Sequence, residues 1–357
     1  MKKVLTISFM FMTVLLVSSS GYSQDTTTAV QPESAVTVAF DSSKATSKWD
    51  LTLNFSGRKV TGYTEYHIQY PIVYYSAFPG VGHSILAFPL DGYRMEASGL
   101  LNLKAFKKDT IVFELAFSKA LTTPKEAQVD TDYDYVSAFM PPQWLWAATK
   151  SDVKYSNYDL RFTAGYPFWL KKQVKMTPVL GFQTSHNSYD VIGLSGWWEY
   201  YYGEKILIEP EDYAGIKVGT YTVDYHQLIT GLIIETAPNK GLSFYLKGNY
   251  LPYVIAKDLD NHIFRYKEST TNATGSGYQL EGKIKIQIHK FISGATLNWG
   301  GGVNMLRITA KGSQIQEWYG DDPASDDFDD TGSVSSPIDN TLKLRQNSFI
   351  AFFEYKL

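Results

Sequence analysis

The chain has 357 residues, of which 44% are apolar, 15% aromatic and 19% charged, with a formal charge of −3 and no cysteine. The absence of cysteine excludes disulfides, thiolate metal sites, a cysteine nucleophile and a lipid-modified N-terminal cysteine. The slight acidity argues against a general nucleic-acid binder, which carries a basic excess, and the wealth of Tyr, Phe and Gly (26, 20 and 27 residues) suits pleated strands better than a helical enzyme.

Residues 1–23 read as a cleavable signal peptide. Lys2 and Lys3 form a positive start, Val4 to Val17 is apolar, and Gly21 and Ser23 stand at the −3 and −1 positions of a cut before Gln24. The apolar run is shorter than the ~20 residues a spanning helix needs. No second long apolar run follows, so no transmembrane helix is expected after it, while an exported chain can still live in a membrane as a closed barrel. Residues 24–48 form a Thr/Ser-rich, flexible N-terminal lead, and residues 49–357 the predicted barrel.

From Trp49 onward the sequence alternates with the period of strands. Tyr93 to Leu103 and Thr110 to Phe117 flank a turn at residues 106–109. Tyr155 to Tyr166 and Lys175 to Thr184 flank a break at 167–172, and Val223 to Thr236 and Leu242 to Val254 flank one at 237–241. Tyr278 to Ile288 and Ala295 to Ile308 flank the last short break, and Leu342 to Leu357 closes the chain. Short breaks thus alternate with polar stretches of roughly twenty to thirty-five residues, the asymmetry of short periplasmic turns and long extracellular loops. In the final strand Phe349, Ala351, Phe353, Tyr355 and Leu357 share one face, suited to lipid. The predicted fold is an all-β, ten-stranded antiparallel transmembrane β-barrel in a bacterial outer membrane.

Function on such a scaffold is expected in the long loops. The second, predicted over residues 121–154, contains Asp130, Asp132 and Asp134. In extended backbone these point the same way, and like charges so close raise at least one pKa and can hold a polarised water. The fourth, predicted over residues 256–277, contains Asp258, Asp260 and His262. An Asp two residues before a His can accept from one ring nitrogen and leave the other as a base. Taken alone, each stretch also fits a solvated acidic loop and a chance loop histidine. In a ten-stranded barrel the two loops share one rim and face each other across it.

With those two motifs the chain resembles the omptin family of outer-membrane proteases, as a distant member. The resemblance spans roughly residues 84–357. It rests on Val129-Asp130-Thr131-Asp132-Tyr133 ahead of Tyr155-Ser156-Asn157-Tyr158-Asp159-Leu160, and on Asp258-Leu259-Asp260-Asn261-His262. It implies that Asp260 and His262 form the base couple and that Asp130 and Asp132 bind the attacking water, with no covalent intermediate, metal or other cofactor. It also implies a lipopolysaccharide requirement, a substrate-binding role for Asp258 toward basic side chains, and Glu65 as a nearby candidate for a second acid. The implied partners are peptide or protein substrates, cationic ones included, outer-membrane lipid, and the barrel-assembly machinery during insertion.

Other features compete. Asp224 and His226 form a second Asp-x-His, predicted to face the lumen while Tyr221, Val223 and Tyr225 face lipid. Six aspartates between residues 320 and 332 read as a solvated loop able to attract cationic peptides, with calcium binding as the other reading. His67, His83, His186 and His289 have no carboxylate at such spacing and read as structural or exposed. The alternative overall reading is a non-catalytic barrel acting as an adhesin, a receptor or a narrow pore.

Overall fold

Long runs of β-branched and aromatic residues, with Gly and Asn at the breaks, make the described residues almost entirely strand. A computed structural model describes residues 49–74, 78–106, 109–136, 144–170, 173–199, 205–237, 241–323 and 329–357. The expected signal peptide and lead lie outside these. The strands are β1 (Trp49–Tyr74), β2 (Phe78–Pro89), β3 (Gly92–Phe106), β4 (Asp109–Ala120), β5 (Gln128–Val136), β6 (Trp144–Gly165) and β7 (Phe168–Leu170). They continue as β8 (Val174–Glu199), β9 (Lys205–Ile208), β10 (Lys217–Thr236), β11 (Leu242–His262), β12 (Lys267–Lys290), β13 (Thr296–Trp318) and β14 (Ile338–Lys356).

All pairings are antiparallel, and they return to their start. β1 pairs β14, and the ring runs on through β13, β12, β11, β10, β8, β6, β4 and β3 back to β1. Nearer one rim β2 and β5 replace β3 and β4, so that β2 pairs β1 and β5 pairs β6. Among the described residues the strand segments number fourteen where about ten were expected. β2 passes to β3 at Leu90–Asp91, β4 gives way to β5 across residues 121–127, and β7 and β9 are short pieces beside β8.

Two expected loops are corrected by this arrangement. Residues 121–154 include β5 and the start of β6, and residues 256–277 include the ends of β11 and β12. Paired neighbours on both sides satisfy the backbone there, so strand continues where polarity had suggested loop.

The outer face carries a belt of exposed Phe55, Leu115, Phe162, Leu180, Leu246, Leu280, Ile284, Val303, Phe349 and Phe353. Exposed Tyr93, Tyr158, Tyr250, Tyr253 and Tyr278 border it toward the rim bearing β2 and β5. Inside the belt the lumen is filled by ion pairs: Arg58–Glu96 at 2.7 Å, Arg161–Glu114 at 2.9 Å, and Lys285 at 3.0 Å from both Glu235 and Glu354. Above this layer lies an aromatic floor. Phe88 stacks on Tyr221 with ring centroids 4.1 Å apart, Tyr189 lies 5.1 Å from Phe88, and Tyr66 lies 5.6 Å from Tyr221.

Candidate active site

The phase of β11 decides what faces the mouth. In its lower part Lys247, Asn249 and Leu251 point inward and are buried. Pro252 and Tyr253 are both exposed, and the register with β12 shifts between Leu251 and Val254. Proline has no N–H for the ladder, and a bulge accommodates it at the cost of one residue of register. Above the bulge the even-numbered residues therefore turn inward, bringing Asp258, Asp260 and His262 onto the lumenal wall. Asp260 lies seven residues beyond Tyr253 (260 − 253), roughly 23 Å further along the strand at about 3.3 Å per residue, and so well clear of the apolar belt.

Asp130 and Asp132 reach the lumen by register. They stand opposite Leu86 and Ser84 of β2, both buried inward residues, and directly opposed side chains share a face. The Ser84 hydroxyl donates to Asp130 Oδ1 at 3.3 Å. From β5 the wall runs through β6, β8 and β10 to β11, so the two aspartate motifs stand on facing walls. Asp134 lies on the same strand, but its side chain falls outside the described residues.

Across this mouth the groups act on one another. His262 Nε2 lies 2.8 Å from Asp260 Oδ2, which leaves Nδ1 as the second ring nitrogen. The Tyr66 hydroxyl, reaching from β1, donates to the same Asp260 oxygen. Burial would raise the Asp260 pKa, but the His262 charge and these two hydrogen bonds outweigh it and hold the group below its ordinary value. Asp130 moves the opposite way: burial, then the charges of Asp132 and Asp260, push it well above the usual carboxylate range. Burial and the neighbouring carboxylates thus favour the protonated form of Asp130.

Two further ionisable groups complete the mouth. Asp258 is buried and pushed up to about 7, chiefly by burial. Tyr221 donates to its Oδ2 at 3.4 Å, and hydrogen bonds from Thr271 also act against the rise. Lys267 opposes His262 in the register, is 6% exposed and has its Nζ 5.9 Å from the Trp318 ring. Burial, then Arg265, lowers its pKa to about 8 against the pull of Asp260, Asp322 and Asp130.

The hairpin that carries His262 is clamped by the segment following β13. Arg265 grips Asp322 through Nη2 at 2.7 Å and Nε at 3.0 Å, and Trp318 Nε1 donates to the same carboxylate at 3.2 Å. The Tyr319 hydroxyl donates to Asn261 at 2.9 Å, and its backbone N–H donates to Tyr266, which has φ 47° in the tight connection. Asp322 is therefore buried structure within a segment expected to be solvated. Asp326 and Asp327 lie outside the described residues, and among those described no group of three or more His, Cys, Asp or Glu gathers to hold a metal.

Three sequence readings are corrected. Tyr221, Val223 and Tyr225 are fully buried in the lumen, which turns Asp224 and His226 to the outer face. At this height the barrel has risen past the apolar belt, so the aromatic side is the inside. Glu65 also lies on the outer face, because Thr64, Tyr66 and Ile68 take the inward positions of β1; it sits 3.1 Å from His67 and is not placed to be a second acid in the mouth. Finally, His67 and His186 do have carboxylate partners, Glu65 and, at 2.7 Å, Asp224. The sequence reading missed Tyr66, Ser84 and Lys267. Only Lys267, five residues after His262 across a tight connection, had a local signal.

Fold and site together define a class, an antiparallel β-barrel with clustered Asp and His residues at one rim above an apolar outer belt. The model of the Omptin family matches residues 100–293, more than half of the chain. The chain belongs to the omptin family. The outer-membrane protease OmpT from Escherichia coli has a similar structure, with a TM-score of 0.63 at 13% sequence identity, covering 86% of this chain and 97% of that one. A FadL homologue from Pseudomonas aeruginosa aligns over 86% of this chain and 89% of its own, at 9% identity and a TM-score of 0.25, too low to carry an argument. No curated protein sequence matches the chain significantly.

Proposed function

We propose that the protein is an outer-membrane endopeptidase that hydrolyses peptides at the mouth of a ten-stranded transmembrane barrel. In this count β2 with β3, and β4 with β5, are single ring strands. The observation that carries the reading is the Asp260–His262 pair, 2.8 Å apart, facing the Asp130–Asp132 couple across the mouth. A water held between Asp130, Asp132 and His262 gives a proton to Nδ1, and its oxygen attacks the peptide carbonyl carbon. Asp260 holds the imidazolium in place, while the Asp130 carboxyl and the Lys267 ammonium face the oxyanion. The Nδ1 proton then passes to the leaving nitrogen, the C–N bond breaks, and the imidazole is regenerated. No covalent enzyme intermediate or cofactor enters this sequence.

Family resemblance supports an extracellular position for the site-bearing rim and an activity dependent on lipopolysaccharide. Asp258 would receive a cationic substrate side chain. The test is cleavage of a mixed fluorogenic peptide library by refolded protein, with and without lipopolysaccharide, beside His262→Ala and Asp130→Asn. Cleavage by the wild type, with a loss of at least ~100-fold in both variants, is the expected result. A well-folded wild type that cuts nothing in any lipid would overturn the reading and leave a binding or transport barrel.

A further inference from the structure

The Asp260–His262 couple has a third member that the sequence motif does not contain. Asp260 Oδ2 accepts two hydrogen bonds, one from His262 on the same strand and one from the Tyr66 hydroxyl, 194 residues away on β1. β1 and β11 are separated in the ring by β14, β13 and β12, so this bond crosses the lumen. Tyr66 is 1% exposed, its ring held 5.6 Å from Tyr221 and 6.4 Å from Phe88. A phenol fixed in this way aims its hydroxyl with two torsions already ordered, so little entropy is lost in making the bond. We infer that Tyr66 is the positioning residue of the base couple: it fixes the Asp260 carboxylate and, through it, limits how strongly His262 retains a proton. The inference rests on the preceding reading of Asp260 and His262 as the base couple.

The physical argument concerns one oxygen with two donors. Each hydrogen bond to a carboxylate disperses part of its charge. With Tyr66 in place the carboxylate is a moderate partner for the imidazolium. Without it the same oxygen has only His262, so the imidazolium is stabilised further and gives up its proton at higher pH. Tyr66 itself does not titrate in the working range, because burial and the charges of Asp260 and Asp130 push its pKa well up. The other ionisable groups facing the couple are Asp130 and Asp132 on β5, Tyr221 on β10, Asp258 on β11 and Lys267 on β12. Changing Tyr66 leaves all of these in the chain.

The test is Tyr66→Phe, which keeps the ring and its packing and removes only the hydroxyl. Folding is checked by far-ultraviolet circular dichroism and by the retarded gel mobility of the heated barrel. The expected result is a loss of about 10- to 100-fold in kcat with KM changed less than about threefold, since a positioning contact acts on the chemical step. The acid limb of the kcat/KM profile should move to higher pH by about half to one unit. The His262 ring titration, followed by NMR with labelled histidine, should move in the same direction, and Tyr66→Phe should have no effect on it in an Asp260→Asn background. A limb and a titration that both stay in place in a folded Tyr66→Phe barrel would overturn the inference, as would an equal shift in the Asp260→Asn background. The NMR arm does not need turnover. An inactive wild type whose His262 titration still moves would refute the peptidase reading while upholding the Tyr66–Asp260–His262 linkage.

Discussion

Asp258 offers the sharpest test of how the mouth is built. Its carboxyl is buried, and burial outweighs its hydrogen bonds to Thr271 and Tyr221, so that its pKa lies at about 7 instead of 3.8. A folded-state pKa above the unfolded value means that the folded barrel binds this proton more tightly. The resulting stabilisation is complete below about pH 4 and is lost as pH rises through about 7. Three units at about 1.36 kcal/mol each bring the cost of ionisation to about 4 kcal/mol above neutrality. Asp258→Asn removes the ionisation and nearly preserves the shape. Stability should be measured by urea titration of both proteins in lipid vesicles, at pH 4 and pH 8, with tryptophan fluorescence and gel mobility as probes. Groups shared by the two proteins cancel in the comparison. The variant should gain about 2–4 kcal/mol on the wild type between the two pH values. An unchanged difference would mean that Asp258 ionises at no cost, and the argument from burial would be wrong.

On the proposed role of Asp258, the same group would link substrate binding to pH. A cationic peptide that pairs with Asp258 must draw off its proton, so an uncleaved cationic peptide should bind His262→Ala protein more tightly at pH 8 than at pH 6, while its neutral analogue shows no such trend; calorimetry in two buffers would report the released proton. Arg265→Ala removes the bidentate partner of the buried Asp322, and the freed hairpin should cost up to about 100-fold in peptide turnover with the barrel still folded, so that undiminished turnover would refute the clamp. Asp224→Asn combined with His226→Ala changes only the outer face, and cleavage should stay within about twofold of wild type; a large loss would restore this second Asp-x-His to the lumen.

That these candidate residues share a face in pairs was legible in the sequence because the pairing is local. Asp130 and Asp132, and Asp260 and His262, are each two residues apart, and period-two backbone puts such pairs on one face whatever surrounds them. Which face they take was not local. On β11 it depends on the bulge at Pro252, and on β10 the aromatic face of Tyr221, Val223 and Tyr225 looks the same whether it meets lipid or a packed lumen. Height above the apolar belt decides between the two, and height is a property of the closed ring. Tyr66 was invisible for the same reason, since its bond to Asp260 spans 194 residues of sequence.

The correction from loop to strand bears on the chemistry as well. A site on mobile loops would have to order its carboxylates against their mutual repulsion each time a substrate arrived. Here Asp130 and Asp260 are fixed by paired strands on facing walls, and the cost of burying Asp130, with its repulsion from Asp132 and Asp260, is held in the folded barrel as a raised Asp130 pKa. That energy is carried by the rest of the molecule: the ion pairs that fill the lumen at the belt and the aromatic floor that joins Tyr66, Phe88, Tyr189 and Tyr221. The floor does two things at once. It packs buried rings beneath the Asp and His residues of the mouth, and it aims the Tyr66 hydroxyl at the Asp260 carboxylate.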